Sequence, residues 1–170
     1  MSADDRAWFE PLVRSLGTRA FRFAYMLVED SDAAEEIVQE AFARSWASPH
    51  TPSTESEFRR WLYRVIGNLA RDYHRQRVRF RNLPIPPAVA QDPIELVERR
   101  SPDEEVLAAL RRLSIRERQA IYLRYFEDYS FAETARIMAS PQVTVRVLVH
   151  RALGKLRRHL EASALREVAI

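Results

Sequence analysis

Apolar residues recur at three- and four-residue spacing along most of the chain, and strand-like alternation is absent. The pattern predicts an all-α protein. A first helical segment begins at Asp4 or Asp5, a helix cap, and carries Trp8, Phe9, Leu12, Val13 and Leu16. Gly17-Thr18 reads as a break, and a second segment to Val28 offers Phe21, Ala24, Tyr25, Leu27 and Val28 to a core. A third helix is expected from Ser31 to Ala47, with Ala34, Ile37, Val38, Ala41, Phe42, Ser45 and Trp46 facing inward. The polar loop Ser48–Ser56 leads into a helix over Phe58–Arg81, whose apolar stripe is Phe58, Trp61, Leu62, Val65, Ile66, Leu69 and Tyr73.

The helical pattern stops at Asn82. Five of the nine prolines fall between Pro84 and Pro102, which marks an extended linker. A second helical domain starts at Ser101-Pro102, with Val106, Leu107, Leu110 and Leu113 as its stripe. Ser114 with Glu117, and Ser130 with Glu133, have the spacing of capping boxes. The first opens a helix continuing to Phe126, and the second a short helix, Phe131–Met138. Ala139-Ser140 then forms a turn where glycine would be easier, and Pro141 opens a helix to about His159. Val145, Leu148, Val149, Leu153 and Leu156 are its packing residues. A short helix, a tight turn and a longer basic helix are the layout of a helix-turn-helix, with Ala135 small at the crossing. The fold expected is two small helical domains, 1–81 and 101–162, joined by a Pro-rich linker, 82–100, with a tail at 163–170.

Net charge is only +3, so its distribution carries the information. Glu29–Glu40 holds six acids and no base, whereas Phe58–Arg81 holds eight arginines and one acid, Asp72. Asp92–Glu105 is acidic again, and Thr144–His159 carries Arg146, Arg151, Lys155, Arg157 and Arg158 with no acid. Two basic stretches separated by acidic ones suggest two contact surfaces for a polyanion. Cysteine is absent, which removes any disulfide framework or cysteine metal site. No apolar run is long enough to span a bilayer, and Met1–Glu10 does not resemble a signal peptide, so a cytoplasmic protein without membrane insertion is expected.

Three faces carry candidate chemistry. Arg60, Arg64, Asn68, Arg71 and Arg75 recur on one side of the basic helix, either as a surface for a phosphate backbone or as a solvated face. Glu36, Gln39 and Glu40 share the outer face of the third helix, as a docking face for a basic or polar partner or as dipole-matching, solubilising residues. Thr144, Arg146, His150, Arg151 and Lys155 line the last helix, facing DNA or solvent in a helical hairpin. Trp61 sits on the apolar stripe and reads as core rather than as a stacking wedge. His50, His74, His150 and His159 are scattered, so no metal site or cofactor is expected and an enzyme is disfavoured. A free-standing dimeric regulator remains an alternative, without an obvious dimerisation helix.

Taken together, these residues resemble an RNA polymerase sigma factor of the extracytoplasmic-function (ECF) group. Glu36-Ile-Val-Gln39-Glu40 is similar to that family's polymerase-docking helix, Phe58–Asp72 to its promoter-melting helix, and Leu110–Leu160 to its C-terminal domain. The resemblance implies that Glu36, Gln39 and Glu40 contact the clamp of the polymerase β′ subunit. Asn68 would hold an extruded −10 base, with Arg60, Arg64, Arg71 and Arg75 on phosphates. The C-terminal domain would dock on the β flap and place Thr144, Arg146, His150, Arg151 and Lys155 at duplex −35 DNA. An anti-sigma factor is an implied further partner. Two departures stand out: Val143, Val147 and Leu148 replace the small and polar residues the family often shows around Thr144–Arg146, and the loop Ser48–Ser56 lacks an aromatic residue.

Overall fold

In a computed structural model the protein is described over residues 8–81 and 102–168, with side chains over 8–79 and 106–162. The linker, Ser101 and the Asp4/Asp5 cap lie outside the described residues. All regular elements described are helices. Three form an N-terminal lobe: α1 (Phe9–Val28), α2 (Ser31–Ala47) and α3 (Glu55–Arg81), each packed on the other two. Four form a C-terminal lobe: α4 (Pro102–Arg111), α5 (Ile115–Ile121), α6 (Phe131–Ile137) and α7 (Gln142–Val168). There α7 is the hub, touching α4, α5 and α6.

The expected break at Gly17 does not occur; α1 runs unbroken through it. A single glycine costs a helix about 1 kcal/mol relative to alanine. The buried line Leu12, Leu16, Ala20, Phe23, Leu27 passes straight through that position, and its burial outweighs the cost. The helix ends at Glu29, whose left-handed backbone (φ 57°) returns its N–H to the Tyr25 carbonyl at 2.8 Å.

Asp30 then caps α2, accepting from the Ala33 N–H at 3.0 Å, and also accepts from the Tyr73 hydroxyl at 3.0 Å. These two bonds, the backbone one first, hold its carboxyl below the usual carboxylate range. They also tie the α1–α2 corner to α3. The bounds of α2 are those the pattern predicts. Trp46 differs from expectation: it is about half exposed, and its ring meets Phe9 edge-on, ring centres 5.2 Å apart. In α3, Phe58, Leu62 and Ile66 are fully buried, while Trp61, Val65, Leu69 and Tyr73 are half-buried.

Both capping boxes form. Ser114 Oγ accepts from the Glu117 N–H at 3.3 Å while Glu117 Oε2 accepts from the Ser114 N–H at 2.8 Å; Ser130 and Glu133 repeat the arrangement at 3.2 and 2.9 Å. Glu117 also accepts from Lys155 Nζ of α7 at 2.8 Å. Burial opposes ionisation of Glu117, but its bonds from Lys155 and Ser114 outweigh that and hold its pKa below the ordinary 4.5. With the folded value below the unfolded one, this stabilisation is present above the carboxylate range and disappears as pH falls through the depressed value. Glu117→Gln is expected to lose about 1 kcal/mol at neutral pH and to show a shallower acid fall in melting temperature than the parent chain.

After α5 the chain widens into a π-helical turn, Tyr122–Phe126, rather than continuing as a regular helix. The turn buries Tyr122 and Leu123 and leaves Tyr125 and Phe126 exposed. In α4 the expected stripe is shifted: Ala109 and Leu110 are buried, with Val106 and Leu107 exposed. In α7, Val145, Val149 and Ala152 are buried, Leu148 and Leu156 half-buried, and Leu153 exposed. The α7 helix also runs on to Val168, past the expected end near His159.

Ala139 has a left-handed backbone in the turn before α7, φ 47°. Ala139→Gly is expected to raise the unfolding free energy by about 1 kcal/mol, measured as a higher urea midpoint.

The two lobes are in contact, α1 with α5 and α3 with α6. Beside this seam lies a cavity of about 670 Å³, walled by Arg22, Tyr25 and Met26 from the N-terminal lobe and by Leu107, Leu110 and Phe126 from the other.

Candidate polymerase and nucleic-acid interfaces

Alternation between buried and outward positions builds the acidic face. Ala33, Ala34, Ile37 and Ala41 face the core, so Glu36, Gln39 and Glu40 point to solvent. Gln39 Nε2 donates to Glu35 Oε1 at 3.3 Å, and Arg44 Nε to Glu40 Oε1 at 2.6 Å. Both contacts are exposed and local, worth a few tenths of a kcal/mol each, so they restrain these groups little.

The basic face of α3 is set by the same logic. Arg64, Asn68 and Arg75 are exposed, Arg60 and Arg71 half-buried. Asn68 Oδ1 accepts from Arg71, whose Nε also donates to the Gly67 carbonyl at 3.3 Å. Arg75 pairs with Asp72. Arg60 and Arg64 point elsewhere: Arg60 stands 3.8 Å from Glu133 of α6, and Arg64 donates to the Arg136 carbonyl. Sequence reasoning missed three residues here. Arg59 has its guanidinium 4.0 Å from Glu127 and over the Tyr129 ring; Tyr63 is only 1% exposed; Gly67 lies under the Gln119 side chain. All three face the other lobe, and local periodicity holds no signal for that.

The last helix presents Arg146, His150 and Arg151 to solvent, with Thr144 half-buried. The Arg146 guanidinium stacks 4.7 Å over the Phe131 ring, which links the two helices of the helix-turn-helix. Lys155 is paired with Glu117, as described, with its side chain still 41% exposed. Val143 projects from the first turn of α7, 71% exposed, with Val147 exposed one turn on. Among the described residues no three His, Asp or Glu side chains converge as a metal site, and no helix is long and apolar enough to cross a membrane.

A helical bundle bearing an acidic and a basic face is followed by a helix-turn-helix. Residues 12–80 match the family "Sigma-70 region 2", and residues 103–156 match "Sigma-70, region 4". The chain is 31% identical over 150 residues to the ECF RNA polymerase sigma factor SigX of Bacillus subtilis (strain 168), an alignment covering 83% of this chain and 77% of that protein. It is also 31% identical over 150 residues to the ECF RNA polymerase sigma factor SigL of Mycobacterium tuberculosis (strain ATCC 25618 / H37Rv), covering 83% and 82%. In fold it is similar to the sigma factor RpoE solved in complex with the anti-sigma factor NepR from Bartonella quintana (TM-score 0.72, 24% identity, 90% of this chain and 96% of that one). The chain belongs to the ECF group of RNA polymerase sigma factors.

Proposed function

We propose that this sigma factor acts as a promoter-specificity subunit through three separate surfaces, with no chemistry of its own. The observation that carries this reading is that Glu36 and Glu40 on α2 and Asn68 on α3 all stand open to solvent on one bundle. The acidic face grips core RNA polymerase at the β′ clamp. The α3 face captures the melted −10 strand, Asn68 holding a base and Arg60, Arg64, Arg71 and Arg75 its phosphates. Unpairing a base costs a few kcal/mol, which capture in a pocket offsets in part.

The C-terminal lobe docks on the β flap and sets Thr144, Arg146, His150 and Arg151 at the −35 major groove. Arginine there can read guanine bidentately, and Val143 and Val147 offer methyl groups of the kind that pack on thymine. Lys155 reaches the backbone only by releasing Glu117. An anti-sigma factor covering the polymerase-facing surfaces holds the protein in reserve in the cytoplasm. Run-off transcription with core polymerase tests this: promoter-specific transcripts are expected on adding the chain, and their absence over a promoter library would refute it.

A further inference from the structure

We propose that the cavity beside the seam is a binding site for a nucleoside polyphosphate, distinct from the three surfaces above. Helix α1 lines it with Arg19, Arg22 and Tyr25, spaced at three residues along one side, and the other lobe adds Arg111 and Phe126.

One half of its chemistry is cationic. Two wall carboxylates are already engaged: Glu29 accepts from the buried Arg118, and the buried Glu127 carboxylate lies 3.9 Å from Arg19 and 4.0 Å from Arg59. Arg111 stands 4.0 Å from Glu29. The contacts of Arg19 and Arg111 are thus longer than hydrogen bonds, and both side chains are more than half exposed. Arg22 is exposed and makes no ion pair among the described residues. Three guanidinium groups, two from α1 and one from α4, therefore keep N–H donors to spare. Burial first, with the Glu127 charge second, pushes the Tyr122 hydroxyl up to about 12, so it stays neutral and adds no negative charge to the wall. Asp128 is the third acid of the wall, and it is exposed to water.

The other half is flat and apolar. Each lobe contributes a stacked aromatic pair: Phe21 on Tyr25, ring planes 16° apart, and Tyr122 on Phe126, 11° apart. Tyr25 is 40% and Phe126 58% exposed, so each stack ends in a ring that a ligand can reach. Planar rings take any base through its π-face, and the guanidinium fork matches phosphate oxygens two at a time. A fatty carboxylate would engage one arginine and leave the others unused, and inorganic phosphate would leave the rings bare. A base joined to a run of phosphates uses both halves. The volume, about 670 Å³, lies in the range of small-molecule sites.

Calorimetric titration of GTP and of ATP into the full chain tests the inference. Saturable binding of one nucleotide per chain is expected. Arg22→Glu should weaken it by at least about tenfold, and Phe126→Ala by about five- to tenfold, through loss of a phosphate contact and of a stacking ring. Both positions are exposed, so the melting curves of the variants should stay in place. Tripolyphosphate, which carries the charge without the base, should bind at least about tenfold more weakly than GTP. Neither Arg22 nor Phe126 belongs to the faces assigned to DNA, so a nucleotide held on those faces would bind both variants as it binds the parent. That result, the absence of saturable binding by either nucleotide, or tripolyphosphate binding as tightly as GTP would overturn the inference and leave the sigma-factor reading intact.

Discussion

Phe58→Ala is expected to unfold the N-terminal lobe. Phe58 is fully buried, and its ring centre lies 5.8 Å from Phe9, 6.2 Å from Trp8 and 6.4 Å from both Phe42 and Trp61. It is where α1, α2 and α3 meet. Truncating a buried phenylalanine costs about 3–5 kcal/mol, against a total of about 5–15 kcal/mol for a small protein. The expected result is a large drop in helical circular dichroism or in urea midpoint, with polymerase binding lost as a consequence. Trp61→Ala, at a half-buried site, should cost clearly less. Equal losses at the two positions would show that Phe58 is not the keystone of the bundle.

The second large effect is expected from reversing charge on the acidic face. Glu36→Lys combined with Glu40→Lys should weaken binding to core polymerase by about 10–100-fold, equivalent to about 1.4–2.7 kcal/mol. Both residues are exposed, and among the described residues the ion pair lost is the surface contact of Glu40 with Arg44, so the melting curve should hardly move. The loss should shrink as salt rises. Titration of fluorescently labelled core polymerase against parent and variant at two salt concentrations measures this. Unchanged affinity would remove Glu36 and Glu40 from the docking surface.

The features readable from sequence are those decided within a few residues. Asp30, Ser114 and Ser130 cap helices because each offers a side-chain oxygen to the unpaired N–H groups of a first helical turn. Ala139 takes the left-handed turn that its place between two amphipathic runs demands. The misreadings have a common cause, which is contact at long sequence separation. Gly17 does not break α1 because α2 and α3 cover the stripe on both sides of it. Tyr63 follows Leu62 out of the α3 stripe and would read as a surface residue; Tyr122 and Tyr129 of the other lobe bury it. Arg60 and Arg64 could be identified as cations of one face, but not as groups already engaged by α6. Lys155, the chain's one lysine, reads as part of a basic run, yet it is paired with Glu117 of α5.

The hollow of about 670 Å³ flanked by Arg22, Tyr25, Leu107 and Phe126 exists only while both halves of the molecule stand together. Its size falls within the usual range for drug-like compounds. A compound lodged there binds only the arrangement in which the two lobes touch. At a free concentration one hundred times its dissociation constant it adds about 2.7 kcal/mol to the work of prising the halves apart.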